Sequence, residues 1–391
     1  MITILKGGRV FAPTNLGEKD LLMVAGVIAN IGDDITPAPN YGDLEEINVK
    51  GKYVVPGFID QHVHLIGGGG EGGFATRTPE VTLSRITMAG ITTVVGCLGS
   101  DGSTRHVESL LAKARGLESE GISTYIYTGA YEVPTPTITG SVRRDILLID
   151  KIIGCGEVAI SDHRSAEPTR EDIMKLAAEA RVGGILGGKA GVLHLHVGEG
   201  KRKLSMLFDI LEESDIPVAQ FTPTHLNRNS ALLDDGIRFA QMGGMIDLTA
   251  GEEATFGYRR GLKPVEAVKH CLAHGISMDQ ITMSSDGNGS MPSFDEKGHL
   301  ISLRVAQLSS LHAEFKAIIQ EAHLGLPEAL KIITVNPAKS LKLYPRKGVL
   351  RPGSDADIVV LNEAWEIDYV FAKGRCLVRE GLPVVRGMFE E

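Results

Sequence analysis

An α/β protein built on a closed (β/α)8 TIM barrel, with a small β-sandwich formed from both chain termini, is the fold class the sequence predicts. Three observations carry it. Over residues 51–345, apolar strand-like runs alternate eight times with amphipathic helical runs, the pattern of a barrel of parallel strands and covering helices. Residues 1–50 and 346–391 read instead as short strands and turns. Neither end is long enough for a comfortable core of its own, so the two are expected to pair into one sandwich domain beside the barrel domain.

The eight strand candidates are, in order, YVVPGFIDQHVHL, ITTVVGCLG, STYIYTGAY, EVAISDH, GVLHLHVG, PVAQFTPTHL, MIDLTAG and ITMSSDG. Helical stretches between them include RHVESLLAKARGLESEG, REDIMKLAAEARVGG, LSMLFDILEESD and PVEAVKHCLAHG. Thr78-Pro79-Glu80 places a hydroxyl before a proline and predicts a helix start there. Thr169 followed by Asp172 predicts a capping box. A doubly wound sheet would want a dinucleotide-type glycine turn after its first strand. The glycine run GGGGEGG at 67–73 lacks that spacing and follows two histidines, so it reads as a flexible substrate loop.

With 391 residues, 43% hydrophobic and 23% charged, the chain has the balance of a soluble globular protein. The net charge of −9 carries no basic footprint for nucleic acid or an anionic membrane. No run approaches the roughly 20 apolar residues of a membrane span. The start MITILKGGRVFAP has no apolar core followed by a small-residue cleavage site, so no secretory signal is expected. Cys97, Cys155, Cys271 and Cys376 lie far apart without a CxxC pair, which suits a reducing, cytoplasmic setting.

His62 and His64 lie two apart on the first strand, so both side chains face the same way, about 6.6–6.8 Å apart along the chain. A lone HxH pair is more often coincidence than a metal site. Here it falls at the end of the first barrel strand, where barrel active sites are built. Glu157 in the fourth strand, His196 ending the fifth, His225 ending the sixth and Asp286 ending the eighth complete a set that is hard to obtain by accident. These hard and borderline donors suit zinc, with manganese, iron or cobalt as alternatives.

GFIDQHVHL, the later single histidines, SSDGNGS and the closing KGVLRPGSDADIVVLN resemble the amidohydrolase superfamily. Within it, DQHVHLIGGGGE, GAY at 129–131, ITGSV at 138–142, ISDHRS, PTHLNR at 223–228 and SSDGNGS resemble the isoaspartyl dipeptidases. The resemblance covers essentially the whole chain and implies a barrel with a split sandwich, two bridged zinc ions and hydrolysis of β-aspartyl dipeptides. It further implies a homo-oligomer, on the pattern of an octamer. Carried over by motif, His62, His64 and Asp286 would bind one zinc, and His196 and His225 the other. A bridging hydroxide would be the nucleophile, with Asp286 as general base and then acid. Tyr131 would donate to the oxyanion, its alternative reading being a wall aromatic.

A substrate with two carboxylates and an ammonium calls for fixed charges. Arg164 and Arg228 are the expected carboxylate clamps, Ser290 an added donor, and Glu71 the ammonium's partner. Ser100 reads equally as a carboxylate contact or a turn-former, and His163 as a structural histidine. One departure stands out: Glu157 occupies the position where that branch usually carries an N-carboxylated bridging lysine. In order, this leaves a Glu-bridged two-zinc site, a single-zinc site, or shifted specificity. Two further function classes remain: a cyclic amidase of the dihydroorotase or hydantoinase type, and a non-catalytic assembly protein.

Overall fold

The computed structural model describes residues 2–36, 44–251, 261–295 and 297–390. Among these, the eight expected barrel strands form at Phe58–Val63, Ile91–Gly96, Ser123–Thr128, Ile152–Ile160, Val192–Val197, Phe221–Thr224, Ile246–Thr249 and Ile281–Ser284. The first six pair in parallel in chain order, and the last two pair in parallel with each other. The ring closes through main-chain bonds at its top. Leu226 N donates to Asp247 O at 3.2 Å between strands six and seven, and His64 N donates to Gly287 O at 2.9 Å between strands eight and one. Apart from the half-buried Tyr125, all eight strands are buried along their length, as expected where helices cover the outer face and side chains fill the inner one.

The expected helices form at Val107–Glu120, Arg170–Gly187, Ser205–Glu213 and Pro264–Ala273. The Thr169–Asp172 capping box is present with both reciprocal bonds. The Thr78 expectation does not survive. The first helix starts later, at Leu83–Thr87, and the Thr78 hydroxyl instead bonds Gly68 N at 2.7 Å and Asn288 O at 2.9 Å. The sequence pattern was that of a cap; a tertiary partner took the hydroxyl.

YVVPGFIDQHVHL is also two strands rather than one. Tyr53–Pro56 runs in the terminal sheet, antiparallel to Ile358–Leu361 and parallel to the Ile2–Phe11 strand. The chain crosses into the barrel at Gly57, where an added Cβ would lie 2.3 Å from Thr92 Oγ1; only glycine fits that approach. The terminal sheet has nine strands among the described residues, drawn from both chain ends. It surrounds a separate core of Leu5, Val10, Leu21, Met23, Ile28, Val54, Ile358, Val360 and Phe371. The barrel and β-sandwich fold class is what the structure has. An unforeseen hairpin, Ser290–Phe294 with Leu300–Val305, follows the last barrel strand. Among the described residues no helix is long and apolar enough to cross a membrane.

Candidate metal centre and substrate cavity

Strand ends one, four, five, six and eight bring His62, His64, Glu157, His196, His225 and Asp286 into one buried cluster at the C-terminal mouth of the barrel. The Glu157 carboxylate stands at its centre. Its Oε1 lies 2.6 Å from His196 Nδ1 and 3.1 Å from His225 Nε2. Its Oε2 lies 3.3 Å from His62 Nε2 and 3.8 Å from His64 Nε2. One oxygen therefore faces each histidine pair. Asp286 Oδ1 completes the first side, 3.0 Å from His64 Nε2 and 3.5 Å from His62 Nε2. His225 and Asp286 hold left-handed backbone conformations, with φ of 65° and 53°. For non-glycine residues this strain is the kind stored at functional sites.

Neighbouring groups orient the rings. His62 Nδ1 lies 2.8 Å from His194 Nε2, and His194 stacks on Tyr127. His225 Nδ1 is 2.6 Å from Thr249 Oγ1, and His196 Nε2 is 2.9 Å from Asp162 Oδ2. Each contact fixes one ring nitrogen and aims the other at Glu157, the arrangement that raises ligand basicity in metal sites.

The electrostatics suit a ligand cluster at Glu157, Asp286 and His225, while at His62 burial is outweighed by Cys97 and Glu157 and the ring is raised well above its ordinary value. Burial would raise the Glu157 carboxyl, but His62, His196 and His225 outweigh it and hold it well below the usual carboxylate range. Burial likewise opposes ionisation of Asp286, and His64, His62 and His225 hold it ionised. Burial and the neighbouring Arg228 push His225 well down, so it is neutral, as a ligand must be. Burial, then His62, takes His194 to about 3.

The substrate-contact candidates line one narrow cavity over this cluster: Glu71, Ser100, Tyr131, Arg164, Arg228 and Ser290, together with His64, His196 and Asp286. Arg164 is held by Asp162 at 2.9 Å and reaches Glu71 Oε1 at 3.2 Å. Glu71 Oε1 also accepts from Ser290 Oγ at 2.8 Å. Arg228 Nη1 donates to Val197 O at 3.0 Å and lies 2.9 Å from His196 Nε2. Tyr131 Oη is 2.7 Å from His196 Nδ1, and burial, then the Glu157 charge, push its phenol far above its ordinary value, so it remains a donor. Ser100 is exposed at the rim. His163 is exposed too, edge-on to Phe294 at 4.7 Å, in an outer cavity that shares Arg164 and Arg228.

The glycine run is less free than its composition predicts. Arg105, buried, donates to Ile66 O, to Gly68 O at 2.9 Å and to Thr78 O at 3.1 Å. At Gly67, with φ 82°, a Cβ would lie 2.2 Å from Thr78 O. The loop is a pinned arm that carries Glu71 over the cluster.

Comparison with known proteins places this architecture. The Amidohydrolase family model matches residues 245–377. A β-aspartyl dipeptidase from Fervidobacterium islandicum AW-1, solved with a β-Asp-Leu dipeptide, is 45% identical, covers 98% of each chain and superposes with a TM-score of 0.91. The chain belongs to the amidohydrolase family. This amidohydrolase is also 25% identical to a dihydroorotase from Syntrophus aciditrophicus, over 94% of this chain and 92% of that one. A D-hydantoinase structure at 18% identity, covering 100% of this chain and 98% of that one with a TM-score of 0.60, shares the fold.

The donor set of this amidohydrolase fits a metal. His62 Nε2 and Glu157 Oε2, which face each other across the cluster, are buried without a hydrogen-bond partner among the described residues. Leaving such atoms unsatisfied costs about 1–3 kcal/mol each, a cost that a bound cation removes. Two groups of donor atoms lie mutually within 4.8 Å: His62, His64, Cys97 and Glu157, and Glu157, His196 and His225. Sequence reading missed Cys97, Asp162, His194 and Thr249. Asp162 and His194 sat inside motifs already singled out, ISDHRS and GVLHLHVG, but Cys97 and Thr249 had no local pattern to betray them.

Proposed function

We propose that this hydrolase cleaves β-aspartyl dipeptides at a two-metal centre, zinc being the preferred ion. His62, His64 and Asp286 would hold one ion and His196 and His225 the other, with Glu157 shared between them. When bound, the ions supply Lewis acidity and lower the pKa of water toward neutrality. The observation that carries the reading is the single cavity holding Glu71, Arg164 and Arg228 directly above the histidine cluster.

The residues divide the work by charge. The two guanidinium groups offer bidentate recognition of carboxylates. Glu71 Oε2, buried without a hydrogen-bond partner among the described residues, offers an acceptor for the substrate's α-ammonium. Ser290 braces Glu71 through the hydroxyl bond to Oε1, and Ser100 adds a rim donor. Tyr131, protonated, donates to the carbonyl oxygen as negative charge develops there. Asp286, ionised, accepts the proton of the attacking water and returns it to the leaving amine. The carboxylate of Glu157 offers two oxygens on opposite sides, which supports sharing without lysine carboxylation.

The Fervidobacterium enzyme, similar along the whole chain, was solved with β-Asp-Leu, and that dipeptide is the test substrate. Assayed beside dihydroorotate and hydantoin, it is expected to be the compound turned over. Hydrolysis of only the cyclic compounds would instead establish the cyclic amidase reading that the dihydroorotase and hydantoinase relatives represent. A cytoplasmic homo-oligomer belongs to the same proposal and rests on cysteine usage and the resemblance; sedimentation of the purified chain tests the oligomer.

A further inference from the structure

We propose that Cys97 is a thiolate ligand of the first metal subsite, completing a His62–His64–Cys97–Glu157 donor set; this rests on the two-metal reading above. Cys97 follows the second barrel strand, Ile91–Gly96, and its N–H bonds Val63 O at 3.0 Å, which locks it beside the HVH segment. Its Sγ and the donor atoms of His62, His64 and Glu157 all lie within 4.8 Å of one another. The second observation concerns the neighbouring donors. His62 Nε2 and Glu157 Oε2, both buried, converge on the same space and have no hydrogen-bond partner among the described residues.

A buried cysteine is more often a small apolar side chain, and Cys97 does pack with Ile59, Val95 and Tyr127. Packing accounts for its burial but not for a sulfur set among three potential ligand atoms. No disulfide competes for it: all four cysteines are free.

The assignment makes the two subsites unequal. The first would add a thiolate sulfur to two imidazole nitrogens and to carboxylate oxygens from Glu157 and Asp286. The second, with His196, His225 and Glu157, would have three donors and keep an open position for substrate. Cys97 thus adds a sulfur beside His62, His64 and Glu157, on the side where Asp286 Oδ1 lies 3.0 Å from His64 Nε2. A soft thiolate also favours zinc over manganese or magnesium. Loading breaks the S–H bond, the sulfur keeps the electron pair and binds the cation, and the proton leaves to water.

Titration of the metal-free full-length protein with Co2+, followed by absorption, tests this. The expected result is a near-ultraviolet thiolate-to-cobalt charge-transfer band during loading. It should be lost in Cys97→Ser while the visible d–d bands persist, and kept in Cys155→Ser. Zinc affinity of Cys97→Ser should fall at least about tenfold, with manganese affinity little changed. Visible d–d bands without the charge-transfer band in the wild type would overturn the Cys97 assignment and leave the metal centre standing. Failure of the wild type to retain either cobalt or zinc on dialysis would overturn the metal centre itself, and the Cys97 assignment with it.

Discussion

Glu157 is the residue on which the centre turns, because its two oxygens face different histidine pairs. Glu157→Gln keeps the shape but replaces one anionic oxygen with an NH2 that cannot accept. Metal content should drop from two ions toward one, and activity at least about tenfold; plasma emission analysis beside steady-state rates measures both, and unchanged values would remove Glu157 from the bridge. Glu71 makes a different prediction. If it pairs with the substrate ammonium, Glu71→Gln should raise KM for β-Asp-Leu by roughly 10–100-fold, the equivalent of losing a hydrogen bond to a charged group, with metal content unchanged. The variant should also cease to discriminate against the N-acetylated dipeptide. Retained discrimination would place the ammonium elsewhere.

At the scale of elements, the site depends on contacts that tie loops to strand ends. Thr78 joins the glycine arm to the segment after the eighth strand, through Gly68 N and Asn288 O. Thr78→Val leaves the Gly68 N–H buried without its hydroxyl acceptor, a loss of about 1–3 kcal/mol. The expected outcome is a raised KM with normal metal content, since the arm carries Glu71 but no proposed ligand; a lowered metal content instead would show that the arm supports the cluster too. In the terminal sheet, Asp355 meets Arg346 Nε at 3.0 Å and Lys347 Nζ at 2.8 Å. Burial would raise its carboxyl, but Lys347 and Arg346 lower it below its ordinary value. A depressed folded pKa adds stability above the unfolded value of about 3.9, and loses it as pH falls through the folded one. Asp355→Asn should therefore cost about 2 kcal/mol at pH 7 and progressively less below about pH 4. Urea midpoints at pH 7 and pH 3 give the comparison; a gap that does not narrow on acidification would contradict it.

For the molecule as a whole, the proposed metal would couple its binding to folding. Chelation exposes the cost of gathering four histidines and two carboxylates in a buried cluster. At free metal near 1,000 times Kd the linkage is worth about 4 kcal/mol, so chelator-treated protein should unfold several degrees lower by calorimetry and recover on zinc addition. An unchanged transition would argue against a resident metal. The two chain ends matter at the same scale: strands from residues 2–32 and 358–383 share one sheet, so trimming either end should destabilise the other.

Much of this was legible in the chain because it is encoded locally. Barrel strands and helices follow from apolar runs and periodicity, and the Thr169 cap from a four-residue pattern. His62, His64, His196, His225 and Asp286 stood at strand ends, where a barrel mouth collects them whatever its details. What only the tertiary structure decided depends on distances across the closed ring. Thr78 bonds a loop instead of capping a helix, Tyr53–Pro56 leaves the barrel for the terminal sheet, and Arg105 pins a glycine run that looked free. Cys97 belongs with these. Its sequence neighbours mark it only as buried, and its place beside His62 and Glu157 comes from parallel pairing of the first two strands. Residue type and spacing set which groups reach the barrel mouth; ring closure and side-chain direction set which of them meet.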